Sequence, residues 1–199
     1  EFSVLRSGSS EHYRPDIVLF INGIPVVVIE CKSPKIKDPI DKSIEQHLRN
    51  QQEDGIRALY QYSNLAMGLA THEAKYATTA TQKEFWSFWK ELFKTKAEET
   101  AWLDKLQALK NQPLPINERT TLFQERYKNV LTFFQNLEKE EQAITEQDKL
   151  LFSICKPERL LDLFFNFTLY DDGIKKVTRY QQYFAVHNTL DKIVKTDSE

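Results

Sequence analysis

The chain has little cysteine. Cys31 and Cys155 are the only two in 199 residues, too few for a disulfide scaffold. Cys31 falls inside an apolar run and Cys155 near a helix end, which suits buried thiols better than a bridge. Long apolar runs are also missing: no stretch has the length and apolarity of a membrane span, and no signal peptide is visible. Nor does one sign of charge dominate. With 27 Lys and Arg against 29 Asp and Glu, the formal net charge is -2, so any contact with nucleic acid must come from a local basic patch. No G-x-x-x-x-G-K-[ST] phosphate loop occurs, so this stretch is not expected to hydrolyse ATP. The length suits one large domain or two small ones, with ample room for a core. The chain reads as cytoplasmic, with no membrane partner. It lacks an initiator Met, opens on Glu1-Phe2-Ser3-Val4-Leu5 as though a strand were under way, and ends directly after an amphipathic stretch. It therefore reads as a fragment.

What is present is concentrated between Arg14 and Lys32. Two strongly apolar runs, Ile17 to Ile21 and Ile24 to Ile29, flank Asn22-Gly23, the pattern of a β-hairpin. Asp16 stands at the far end of one strand, and Glu30 and Lys32 at the far end of the other. Glu30 and Lys32 are two apart, so they project from one face. Two carboxylates and a lysine meeting at the edge of a buried sheet suit divalent-metal hydrolysis of a phosphodiester. Carboxylates hold a hard cation through oxygen, the metal activates water, and the lysine positions that water or stabilises the developing oxyanion. On spacing alone the same residues also suit a buried strand capped in solvent, since short D…ExK patterns arise often by accident.

The face of Asp16 depends on the hairpin. A strict two-residue Asn22-Gly23 loop would pair Asp16 with Ile29 and turn Glu30 to the opposite face. A joint site needs Asp16 opposite Val28. That requires a loop of odd length, most simply three residues with Gly23 left-handed, or a bulge. We expect one or the other.

Further along, residues 2–5 read as a strand and 7–13 as a loop. Asp38-Pro39 opens a helix whose stripe of Ile40, Ile44, His47, Leu48 and Gln51 runs until Gly55. Residues 56–62 read as a short helix, and 64–71 and 75–79 as strands. Phe85, Trp86, Phe88, Trp89, Leu92 and Phe93 suggest an aromatic core helix, and residues 94–115, ending in Pro113-Leu114-Pro115, a linker. Residues 118–138 and 145–154 read as helices, with Glu138 to Glu141 a solvated charge run. A helix starts at Lys156-Pro157, followed by strands near 167–170 and 175–178 around an Asp-Asp-Gly turn. The fold class expected is α/β, a mixed sheet flanked by helices and followed by a mostly helical segment.

The run from Arg14 to Lys32 resembles the PD-(D/E)xK nuclease motif, and most closely the nuclease domain of the restriction (R) subunits of type I restriction-modification enzymes. In that family a strand reading RPDIVLFING leads to one ending in IECK or IELK, and here the match is almost unbroken. The stretches RLLDLFxNF and RYxQYFAV, at 159–167 and 179–186, resemble the same subunit where it borders its helicase-like motor. The domains implied are an endonuclease core over 1–93, a helical extension over 94–155 and the start of the junction to the motor over 156–199.

The resemblance implies Mg²⁺-dependent hydrolysis of double-stranded DNA, with Mn²⁺ as substitute and no sequence readout of its own. Asp16, Glu30 and the backbone carbonyl of Cys31 become metal ligands, and Lys32 the catalytic lysine. The partners implied are duplex DNA and the methylation and specificity subunits. ATP would enter only through the motor, where Gln182 matches an adenine-reading glutamine. A plain amphipathic helix explains the same residues. Related nucleases often carry a Q-x-x-x-Y pair on the next helix. The positions align best on His47 and Gln51, taken as auxiliary residues, with Gln46 and Asn50 the second choice; neither pair supplies the tyrosine. Many members also supply an acidic residue from an earlier helix, for which Glu1 and Glu11 are poor substitutes. Residues 1–199 alone are thus expected to bind DNA weakly and cut it slowly or not at all. Lys35, Lys37, Lys42 and Arg49 suit either a phosphate-facing patch or ordinary solvated charge. Two other readings stand beside this one: a non-catalytic docking module built on the helices of 85–154, and another PD-(D/E)xK enzyme of repair or transposition.

Overall fold

A computed structural model describes residues 2–123 and 128–196. Its centre is a mixed four-stranded sheet in the order β3-β4-β5-β6, formed by Ile17–Ile21, Ile24–Cys31, Leu65–Ala70 and Glu73–Ala77. β3 and β6 run antiparallel to their neighbours, and β4 and β5 are parallel. A parallel pair needs a crossover, and the helices α1 (Pro39–Asn50) and α2 (Arg57–Tyr62) supply it. The central strands read as continuous apolar runs because both their faces are covered: Val26 to Glu30 and all of β5 are buried.

One face packs on helices from the second half of the chain. Val27, Ile29, Leu65, Met67 and Tyr76 share a core cluster with Leu150 and Ile154 of α6 (Glu146–Ile154), Leu160 and Leu163 of α7 (Pro157–Asn166), and Tyr183 of α8 (Tyr180–Thr196). This core crosses both boundaries expected at 93 and 155. The other face carries α1, through Ile40 and Ile44 against Ala66 and Ala70, and α2, through Leu59 and Tyr60 against Val28. A small ribbon of β1 (Val4–Leu5) and β2 (His12–Tyr13) completes that side, with Val4 and Tyr13 against the Val28 cluster. β2 lies where a loop was expected.

The hairpin combines a tight loop with a bulge. Asn22 and Gly23 form a two-residue loop, with Ile21 opposite Ile24 and φ of 50° and 80°, the backbone of a type I′ turn. The register then shifts: Phe20 faces Pro25, but Leu19 faces Val27. Val26 is the extra residue of a β-bulge, and Val26 and Val27 both join the same core cluster. Beyond the bulge Ile17 faces Ile29, so the register continues to Asp16 opposite Glu30 rather than Val28. Side chains directly opposite share a face, so the bulge alone brings the two carboxylates to one side.

Two expectations for the middle of the chain fail. Residues 86–93 are not helical. After a short 3-10 turn at Lys83–Phe85 the chain extends, and Ser87 exchanges backbone hydrogen bonds with Tyr76 at the edge of β6. Trp86 then fills the α1 side and Trp89 the α6–α8 side, so the aromatics serve two cores rather than one helix stripe. Residues 94–115 are not a linker. They contain α3 (Lys96–Lys110), opened by Thr95, whose hydroxyl accepts from Glu98 N at 3.2 Å while the Glu98 carboxylate accepts from Lys94 N at 2.8 Å. Trp102 of α3 stacks against Phe93 and Phe152, which anchors it. The helix expected over 118–138 is α4 (Ile116–Leu122) and α5 (Lys128–Leu137); residues 124–127 lie outside the described ones. β7 (Thr168–Asp171) and β8 (Ile174–Val177) form the expected second hairpin. Cys31 is exposed rather than buried, Cys155 is half-buried, and both are free thiols. Among the described residues no helix is long and apolar enough to cross a membrane.

Candidate active site

β4 carries its apolar run so deep into the sheet that Glu30, at its end, has no exposed surface. The neighbouring strand explains how a helix closes over it. Gly68 of β5 is paired with Glu30, and a Cβ there would meet Ser43 Oγ of α1 at 2.8 Å. Glycine lets the helix backbone approach, and the Ser43 hydroxyl donates to the Glu30 carbonyl at 3.1 Å. Gln46, three residues on, lies on the same helix face.

The Gln46 amide joins the two charged side chains of β4. Its Nε2 donates to Glu30 Oε2 at 2.5 Å, and its Oε1 accepts from Lys32 Nζ at 2.6 Å. Lys32 Nζ is 3.9 Å from Glu30 Oε2. The ammonium thus fixes which end of the amide faces the carboxylate. Asp16 is exposed, and its Oδ2 accepts from the Cys31 backbone N–H at 2.7 Å. The site is half buried and half open: Glu30 at the floor, Lys32 and Gln46 along the wall, Asp16 at the rim.

The floor is electrostatically incomplete. Glu30 Oε1 is buried and has no hydrogen-bond partner among the described residues. Burial, and then the nearby Asp16 carboxylate, push the Glu30 carboxyl up to about 8, against the pull of Lys32. An orphaned buried carboxylate oxygen is costly unless a proton or a cation meets it. The donor set is hard oxygen, which fits Mg²⁺ or Mn²⁺. Among the described residues no cluster of three or more His, Cys, Asp and Glu forms a full metal cage. A cation at this place would meet two carboxylates plus backbone oxygen, a sparse arrangement of the kind Mg²⁺ completes with water and phosphate. The N–H and C=O of one strand residue point the same way, so the Cys31 carbonyl lies on the side its N–H faces, toward Asp16.

The structure brings Asp16, Glu30 and Lys32 together, and it does not bring His47 or Gln51 to them. The His47 ring is fully buried, with Nδ1 2.9 Å from Tyr60 Oη and Nε2 2.9 Å from the Met67 carbonyl. The carbonyl can only accept, so Nε2 carries the proton and Nδ1 accepts from the tyrosine. Gln51 bonds backbone: its Nε2 donates to the His47 carbonyl and its Oε1 accepts from Ala80 N. The second-choice residue Gln46 occupies the wall instead. Its partner Asn50 is buried and accepts from the Arg49 guanidinium. The signal that separates them is position: Ile40, Ile44 and His47 form the core stripe, and Gln46 lies beside it, where a polar group can meet the strand end. A second signal in the sequence is Gly68, since a glycine inside an apolar strand marks a close backbone approach.

Glu11 is engaged by Arg6 at 3.1 Å. Of the expected basic patch, Lys42 pairs with Glu45 at 3.1 Å, and Lys35 and Lys37 are exposed. Gln182 lies at the start of α8, where its Oε1 accepts from Arg179 N at 2.9 Å and Thr178 Oγ1 at 3.2 Å.

Residues 1–85 match the family model described as Type I restriction enzyme R protein N terminus (HSDR_N), a span that holds every residue of this site. Over 98% of the chain, it is 25% identical to a protein of Methanocaldococcus jannaschii provisionally named type I restriction enzyme MjaIXP endonuclease subunit. It is 22% identical, over 98% of its length, to the type I restriction enzyme HindI endonuclease subunit of Haemophilus influenzae. The chain spans only 17% and 15% of those two relatives' own lengths.

Proposed function

We propose that this chain is the endonuclease portion of a type I restriction enzyme R subunit, a reading that starts from the match of residues 1–85 to the N-terminal family of those proteins. The reaction is Mg²⁺-dependent hydrolysis of phosphodiester bonds in duplex DNA, without sequence readout by this portion. The fold is the PD-(D/E)xK nuclease core, with Asp16, Glu30 and Lys32 as its catalytic residues. The observation that carries the reading is the orphaned Oε1 of a fully buried Glu30, on the face that the Val26 bulge gives to Asp16.

Asp16, Glu30 and the Cys31 carbonyl would hold the ion. A bound Mg²⁺ supplies Lewis-acid activation of water and neutralises phosphate charge. The chain's own residues do the rest. As a ligand Glu30 would be ionised, its proton released to solvent. Gln46 holds the Lys32 ammonium toward Glu30, where Lys32 orients the attacking water and stabilises negative charge that develops on the phosphate. Asp16, exposed at the rim, leaves the phosphate a way in. The methylation and specificity subunits are the proposed partners. ATP belongs to a motor region in the rest of such a subunit, with Gln182 at its border.

The test has two parts. Calorimetric titration of the chain with Mn²⁺ should show binding that Asp16→Ala and Glu30→Ala remove; a docking module without metal chemistry would show neither. Asp16→Ala or Lys32→Ala in the full-length subunit, in its complex, should abolish DNA cleavage with folding nearly intact. Retained cleavage at unchanged melting temperature would sink the assignment.

A further inference from the structure

Arg49 follows Gln46 by three residues on α1, so the two share a helix face, and Gln46 is bonded to Glu30. Two supports from different places fix the guanidinium. It lies 5.3 Å from the ring centroid of Tyr13, which packs with Val28 on the Glu30 side of the sheet. Its Nε and Nη2 also donate to Asn50 Oδ1 at 3.3 and 3.2 Å, and Asn50 is only 2% exposed. The Arg49 side chain nevertheless faces solvent.

Its charge is what sets it apart. Arg6, 5.6 Å from the same ring, is neutralised by Asp54 at 2.8 Å and Glu11 at 3.1 Å. Lys42 pairs with Glu45, and Lys83 with Asp41 and Glu45. No carboxylate among the described residues lies within ion-pair distance of Arg49. A fixed, exposed guanidinium that makes no contact ion pair and meets Glu30 only through longer-range attraction is a receptor for an anion, and its planar fork matches two oxygens of one phosphate.

We propose that Arg49 is a phosphate-binding residue that grips the DNA backbone next to the phosphodiester held at Asp16 and Glu30, with Tyr13 and Asn50 as its positioning residues. This rests on the nuclease reading and deepens it by naming a contact to the substrate. The same contact brings the substrate to a chain of near-neutral charge, which has little general affinity for DNA.

The experiment is fluorescence anisotropy of the 199-residue chain on a short blunt duplex, with Ca²⁺ in place of Mg²⁺ so that binding is read without hydrolysis. Salt is varied from about 50 to about 200 mM. Arg49→Gln should lower the slope of log affinity against log salt by about 0.9, and weaken binding roughly tenfold at the lowest salt. Arg49→Met, which keeps a long unbranched side chain without the charge, should do the same. Arg49→Lys should keep the slope, since the charge remains, and bind more weakly, since the fork is lost. An unchanged slope in Arg49→Gln and Arg49→Met with melting intact, or no binding by the unmodified chain at about 50 mM salt, overturns the proposal. Cleavage surviving Asp16→Ala would remove the nuclease reading instead, and it leaves the binding slopes untouched.

Discussion

Ser43 Oγ occupies the space in front of Gly68, 2.8 Å from where a Cβ would stand. This contact sets the depth at which α1 lies on β5, and with it the reach of Gln46 to Glu30. Gly68→Ala should push α1 outward, because Ser43 is fully buried and its hydroxyl is committed to the Glu30 carbonyl. We expect a loss of ~1–3 kcal/mol, as for other overpacked cores, together with weaker Mn²⁺ binding. Denaturant melts and calorimetry of Gly68→Ala and of Gly68→Ala with Ser43→Gly should show the second change restoring much of both. A single variant as stable as the parent would contradict the close-approach argument.

The Glu30 carboxyl, raised to about 8 mainly by burial, makes the metal-free fold sensitive to pH. An unfolded glutamate releases its proton near pH 4.5 and the folded one near 8, so this group's contribution is present at low pH and is lost as pH rises between those values. The loss is on the order of a few kcal/mol, at about 1.4 kcal/mol for each tenfold change in proton affinity. In chelator, Glu30→Gln should therefore gain on the parent chain as pH rises from 4.5 to about 8, and added Mn²⁺ should stabilise the parent more at the higher pH. Parallel stability curves for the two proteins would remove Glu30 as the cause.

His47 is structural here, and burial lowers it to about 4. Its contribution is present above the unfolded value of 6.5 and is lost as pH falls toward 4. His47→Ala should cost roughly 2–4 kcal/mol, through a cavity and two broken hydrogen bonds. Cleavage per folded molecule should stay near that of the parent. A large loss of turnover in correctly folded His47→Ala would return this residue to the site.

Gln182 closes the first turn of α8 by accepting from Arg179 N. Gln182→Ala should cost about 1 kcal/mol by freeing that end, and Gln182→Glu should hold it, since glutamate serves the same position of a capping box. Hydrogen exchange at Tyr180 to Tyr183 reads this directly. Unchanged protection in Gln182→Ala would show that the cap contributes nothing.

The sequence by itself determined the hairpin, its Asn22-Gly23 turn and the placing of Asp16, Glu30 and Lys32 at strand ends. Those follow from local rules: alternation, turn chemistry and the apolar length of a buried strand. It also determined the start of α1 at Pro39, although Asp38 sits left-handed and makes no side-chain cap, and the second hairpin at Asp171-Asp172-Gly173. The sequence required that some irregularity restore the parity of the hairpin, but it could not say which. Only pairing across strands placed the extra residue at Val26 and set Asp16 opposite Glu30, because a bulge is a relation between two chains of hydrogen bonds. The same holds for residues 86–93. Their spacing fits a helix, yet a free edge on β6 and two separate cores for Trp86 and Trp89 make the extended form better satisfied. The linker expected over 94–115 gave way to α3 because Trp102 finds Phe93 and Phe152 across space. The choice of Gln46 over His47 was likewise tertiary. Both lie on one helix, and which side chain meets Glu30 is decided by how closely Gly68 lets that helix approach.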